Sequence, residues 1–268
     1  MKIKRNKNKK TPKDYGMDFE EFNVVTYDDK KLKGWYIESS DNRAAVLICH
    51  NTNGNKEKFL IYAKFLNQFG ISVYMFDFRS HGDSVYSGSR IMHKIRIDID
   101  TVLDYIIKEK SDIPGLKIGM FGFSLGTYAC IHAFKRVEVS CMVLDSGPAL
   151  DLAKAFDNLY SRTINSKLPK LKFLIKYLLK IILDARNNDV KKVVEIMSSI
   201  DKPVMFIHGE RDVFIRAEDT KKLFDISISN NKEYVLVDGS HHLTNYIYLK
   251  EKYVNLTVDF FNKNLYRN

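Results

Sequence analysis

The sequence predicts the α/β class: a mostly parallel central sheet, helices on both of its faces, an antiparallel hairpin at the start and a helical insertion. Three observations carry that prediction. Short apolar runs alternate with amphipathic stretches along most of the 268 residues. Several runs are apolar at every position, as expected of strands covered by helices on both faces. Near the start, two runs rich in β-branched and aromatic residues are separated only by Asp28-Asp29-Lys30-Lys31, a hairpin signal.

The hairpin strands cover residues 22–27 and 32–37, and the next strand is Ala44-Ala45-Val46-Leu47-Ile48-Cys49. Phe59, Tyr62, Ala63 and Leu66 then recur at helical spacing, and Gly70 is placed to end that helix. Residues 71–76 return as a strand. Ile95, Ile99, Val102, Leu103 and Ile106 mark a second helix, followed by a strand at 116–121, a helix at 128–134 and a strand at 141–144. After an interruption come a strand at 204–207, a helix beginning near Ala217, a strand at 234–237 and a closing helix carrying Val254, Thr257, Val258 and Phe261 on one stripe. Repeated units of this kind require parallel strands joined by right-handed crossovers. The interruption, about residues 150–200, holds helical patterns and no strand candidate. Leu171, Leu174, Ile175, Leu178 and Ile182 line one face and Lys172, Lys176 and Lys180 another, which predicts a helical cap over the carboxyl edge of the sheet, where open α/β sheets bind ligands.

Composition narrows the function. Hydrophobic residues make up 45% and charged residues 28%, enough to bury one sizeable core. The net charge of +10 is concentrated: seven basic residues precede the first acid, Asp14, and leave the body at +3. Residues 1–15 therefore read as a disordered, solvated basic tail and 16–268 as one domain. Without interleaved aromatics the tail argues against nucleic-acid recognition, and it leaves room only for weak, salt-sensitive contact of tail or cap with an anionic membrane. Cys49, Cys130 and Cys141 are odd in number, lie in apolar runs and form no C-x-x-C pair, so they read as core residues of a reducing compartment. With no secretory apolar region and no stretch near 20 apolar residues, the expected location is the cytoplasm.

The chemistry begins at Gly122-Phe123-Ser124-Leu125-Gly126, which follows an apolar strand and precedes a helix. In that context G-x-S-x-G forms a nucleophile elbow, a strained turn that holds the serine hydroxyl over the sheet edge and against a helix N-terminus. The bland reading is an ordinary turn with a capping serine. Two further residues shift the balance. Asp212 lies in His208-Gly209-Glu210-Arg211-Asp212 just beyond one strand, and His242 in Asp238-Gly239-Ser240-His241-His242 just beyond another. Each would ordinarily be a turn or surface residue. Together, in the chain order serine, aspartate, histidine, they form the set that nucleophilic catalysis needs.

From about Phe22 onward the chain resembles the α/β-hydrolase superfamily, closest to a group of small bacterial serine hydrolases. The likeness rests on Leu47-Ile48-Cys49-His50, on Phe76-Asp77-Phe78-Arg79-Ser80-His81-Gly82-Asp83-Ser84, on the elbow, on Pro203 with His208, Gly209 and Asp212, and on Gly239 with His242 and Tyr246. The G-x-x-H spacing from Gly239 selects His242 over His241 as the base. The resemblance implies Ser124 as nucleophile, Asp212 as the acid orienting the base, and an oxyanion hole from the backbone N–H groups of Thr52 and Leu125. It also implies structural roles for His50, His81 and Asp83. Two departures stand out: Asn51 and Ser80 occupy places where the family usually has glycine, and asparagine tolerates left-handed backbone better than most residues.

The expected activity is cleavage of an ester or thioester in a small-molecule or acyl substrate through an acyl-enzyme, with no metal or organic cofactor. Acyl transfer or peptide cleavage by the same three residues, and a ligand-binding protein without catalysis, are the rival readings. Oligomeric state, monomer or dimer, stays open.

Overall fold

Eight strands form a single sheet in the computed structural model, which describes residues 7–41, 43–87, 92–151 and 187–266. The strands are β1 (Glu20–Val25), β2 (Lys31–Ile37), β3 (Ala44–Cys49), β4 (Ser72–Phe76), β5 (Lys117–Phe123), β6 (Val139–Asp145), β7 (Val204–Gly209) and β8 (Lys232–Val237), in the spatial order β1-β2-β4-β3-β5-β6-β7-β8. β1 pairs antiparallel with β2, and β2 antiparallel with β4; every later pairing is parallel. This is the α/β-hydrolase fold, with its antiparallel start.

Helices α1 (Leu60–Gln68) and α7 (Glu251–Leu265) cover one face. The other face is covered by α2 (Met92–Glu109), α3 (Leu125–Ala133), α4 (Asn187–Met197) and α5 (Ala217–Ile226). The two-residue side-chain period of a strand divides the core between them. In β3, Val46 and Ile48 join Leu60 and Phe261 on the first face, while Leu47 and Cys49 join Leu103 and Ile131 on the second. Complete burial of β3 accounts for its unbroken apolar run, each large side chain contributing about 1.5–3 kcal/mol.

A buried ion-pair network locks the hairpin to the body. The Arg79 guanidinium donates to Asp98 Oδ1 on α2 at 2.7 Å and to both carboxylate oxygens of Asp28 in the hairpin turn, at 2.7 and 3.0 Å. Ser80 beside it adopts φ +63°, the left-handed region that favours glycine.

One expectation about chain organisation changes, and a second falls largely outside the described residues. The basic N-terminal segment is docked over residues 7–15. Asn8 Nδ2 donates to Asp77 Oδ2 at 2.8 Å and Asp83 Oδ2 at 2.6 Å, its Oδ1 accepts from the Glu57 N–H at 3.3 Å, and a short 3-10 turn, Pro12–Tyr15, follows. Carboxylates in need of donors override the disorder that the charge run suggested; residues 1–6 lie outside the described residues. The predicted cap largely falls on residues 152–186, which also lie outside the described residues. Its final part is instead α4, whose buried Val193, Ile196 and Met197 pack into the sheet-covering core. Among the described residues no helix is long and apolar enough to cross a membrane.

Candidate active site

The elbow is built by close approach of backbones. A Cβ on Gly126 would lie 2.0 Å from the Cys49 carbonyl oxygen, and one on Gly122 would lie 2.7 Å from Cys130 Sγ and 2.8 Å from the Gly126 carbonyl oxygen. Only glycine lets α3 start this near β3 and β5. Ser124, between them, takes φ +52° and ψ −109°, a region costing a non-glycine residue about 1–3 kcal/mol. The turn lifts its hydroxyl to the carboxyl edge of the sheet, where the residue keeps 8% exposure. Leu125 opens α3, so its N–H belongs to the first-turn donors that have no partner within the helix.

Asp212 and His242 arrive from the neighbouring strand ends. The Asp212 N–H donates to the Gly209 carbonyl at 3.1 Å, and Asp212 Oδ1 accepts from the Phe214 and Ile215 N–H groups at 2.9 and 3.0 Å, which fixes the carboxylate. Its Oδ2 lies 2.6 Å from His242 Nδ1. His242 Nε2 lies 3.0 Å from Ser124 Oγ. Since an ionised carboxylate only accepts, a proton sits on Nδ1, and in the neutral ring the Nε2 lone pair then faces the serine hydroxyl. The structure thus brings together the three residues the sequence singled out. His241 is exposed and turns its Nδ1 to the Arg211 carbonyl at 3.1 Å. The two histidines are adjacent, and only His242 reaches the hydroxyl along this route.

The carboxylate has a second imidazole that sequence reasoning gave no role. His208 Nε2 lies 2.9 Å from the Ile215 carbonyl oxygen and 3.3 Å from Asp212 Oδ2, while Thr220 Oγ1 sits 2.7 Å from its Nδ1. Burial alone would push the Asp212 pKa up, but hydrogen bonds from His208 and His242 outweigh it and hold the carboxyl well below the usual range. Burial alone would likewise lower the His208 pKa; the Asp212 carboxylate outweighs it and the net shift is upward. Asp145, Ser146 and Asn245 also lie buried beside the site and went unread. For Asp145 a signal existed: an acid directly ending an apolar run, Met142-Val143-Leu144-Asp145.

Thr52 lies on the loop after β3, the strand adjacent to β5, and its carbonyl is 2.6 Å from His81 Nε2. His50 braces the same loop: it accepts the Phe78 N–H on Nε2 at 3.0 Å and donates from Nδ1 to the Asn51 carbonyl at 2.8 Å. Burial, with His81 nearby, pushes its pKa down to about 3, so His50 is neutral. Lys56 is buried against Asp77 at 2.6 Å and Asp83 at 3.2 Å. Asn51 does not adopt a positive φ, so asparagine fills the family's usual glycine place without the left-handed conformation. Tyr246, four residues after His242, packs its ring near Tyr62 and Tyr253, at 5.6 and 5.8 Å between centroids.

Known proteins share this fold. A family model described as serine aminopeptidase, S33, matches residues 40–193, a stretch that includes Thr52 and Ser124 and ends before Asp212 and His242. An uncharacterized membrane protein of Saccharomyces cerevisiae is 26% identical over 254 residues, covering 93% of this chain and 82% of the yeast protein. Among solved structures, an esterase of Pyrococcus furiosus superposes with a TM-score of 0.80 at 23% identity, covering 98% of each chain. An α/β hydrolase from Penicillium does so with a TM-score of 0.68 at 16% identity, covering 93% of this chain and 99% of the other.

Proposed function

We propose that this chain, which belongs to the hydrolase family described as serine aminopeptidase, S33, is a serine hydrolase that cleaves an ester or thioester bond through Ser124, His242 and Asp212. One observation carries the reading: a single imidazole spans from the Ser124 hydroxyl, 3.0 Å from Nε2, to the Asp212 carboxylate, 2.6 Å from Nδ1. As Ser124 Oγ attacks the substrate carbonyl, its proton passes to His242 Nε2. Asp212, kept ionised at neutral pH, holds the productive tautomer and stabilises the imidazolium that results. Charge on the tetrahedral oxygen is met by the backbone N–H groups of Leu125 and Thr52 and by the N-terminal dipole of α3, each donor typically contributing about 3–4 kcal/mol. His242 returns the proton to the leaving oxygen or sulfur, then takes one from water to release the acyl group. The chemistry needs neither metal nor organic cofactor.

A second reading, amide cleavage at a peptide amino end, is favoured by the description of the matched family. A panel separates the two: p-nitrophenyl esters and acyl thioesters of graded chain length against aminoacyl p-nitroanilides. We expect turnover of esters or thioesters, abolished in Ser124→Ala. Turnover confined to the anilides would replace the first reading with the second.

A further inference from the structure

We infer that Asp145, Ser146 and Asn245 form a buried clamp that positions His242 against Ser124 independently of Asp212. The inference rests on the reading of His242 as the base. Asp145 ends β6, between the strand that leads to the nucleophile and the strand that leads to the acid. Its carbonyl accepts the Ser124 N–H at 2.9 Å, and the Ser146 N–H donates to the Ile207 carbonyl at 2.9 Å, so this strand end is registered to both neighbours.

From that point side chains reach into the loop that carries the histidine. Ser146 Oγ donates to Asp145 Oδ1 at 2.7 Å and accepts the N–H of Leu243, the residue directly after His242, at 3.1 Å. Asn245 Nδ2 donates to Asp145 Oδ1 at 2.8 Å and to Ser146 Oγ at 3.2 Å, while its Oδ1 accepts from Ser240 Oγ at 2.8 Å. Tyr253 donates from α7 to Asp145 Oδ2. The histidine loop is therefore tied on both sides of residue 242.

Backbone geometry shows what the ties hold. Ser146 has φ +59° and Leu243 φ +60°, and the bond between them joins two non-glycine residues in the left-handed region. Such conformations persist only where surrounding contacts over-determine them. Asp145, Ser146 and Asn245 are each at most 1% exposed, so a broken tie would leave polar groups buried without partners. Asp212 holds the imidazole through one hydrogen bond at Nδ1 and the Phe214 ring packs edge-on against it, with centroids 5.5 Å apart, but neither contact fixes the backbone from which the ring hangs. The bond at the Leu243 N–H fixes that backbone. Displacement of a catalytic group by about 1 Å can cost about 100-fold in rate.

These are positioning residues, and the test separates positioning from plain stability. Ser146→Ala and Asn245→Ala are assayed on the best ester for wild type, with kcat and KM measured per folded molecule, and with proton NMR of the His242 Nδ1–H line. The clamp predicts a kcat loss of at least about tenfold, KM within about twofold, and a shifted or broadened Nδ1–H line. Unchanged kcat and an unchanged line in the folded variants would overturn it. If Ser146→Ala fails to fold, Asn245→Ala and Asn245→Ser decide alone, since they leave the strand end intact. A wild type with no turnover and no reactivity at Ser124 would defeat the catalytic reading and the clamp with it; normal turnover that the variants leave untouched would defeat only the clamp.

Discussion

Asp212 sets the pH behaviour of the site. Its burial opposes ionisation, yet hydrogen bonds from His208 and His242 hold its pKa below the usual carboxylate range. An aspartate in the unfolded chain titrates near 3.9, so the stabilisation is present above about pH 4 and is lost as pH falls through the lower folded value. Wild type should therefore lose thermal stability between about pH 4 and pH 2 more steeply than Asp212→Asn, as measured by calorimetry; parallel curves would show that the carboxylate contributes no pH-linked stability. At this scale the three principal residues were legible in the sequence, because glycine spacing marks an elbow and the acid and base follow apolar runs. His208 was visible as part of a motif but not as a partner of Asp212, since that contact needs the strand end to turn back on itself. Asn245 meets Asp145 across 100 residues of chain, and no local pattern announces such a pair.

The elements that present these residues are strained at defined points. Ser124 holds φ +52°, which glycine adopts without a Cβ penalty and alanine does not. Ser124→Gly should accordingly be more stable than Ser124→Ala by about 1 kcal/mol in urea denaturation, and both are expected to be inactive; alanine as the more stable of the two would contradict a strained elbow. Helices and strands were read from apolar period with ends off by a few residues. β5 runs to Phe123, past Gly122, which a sequence reading assigns to the turn. The short helix α6, Asn245–Leu249, escaped notice because five residues are too few to show a period, and it is held by Tyr246 stacking near Phe65 with ring centroids 6.1 Å apart.

Across the whole molecule, the proposed function depends on parallel neighbours ending at one edge. Ser124, Asp212 and His242 follow β5, β7 and β8, and the run β5-β6-β7-β8 sets those strand ends side by side. That much was implied by repeated β-α units and the order of the motifs. The docking of residues 7–15 was not, because a basic run reads as solvated until Asp77 and Asp83 are seen to need the donors that Asn8 supplies. The central claim is that this convergence makes Ser124 a nucleophile at neutral pH. Fluorophosphonate labelling followed by peptide mass spectrometry tests it most directly. The account predicts one phosphonyl group on the peptide containing Ser124, no labelling of Ser124→Ala, and labelling slowed by on the order of 10³ in His242→Ala. Equal labelling of wild type and Ser124→Ala, or a phosphonyl group on any other peptide, would contradict it.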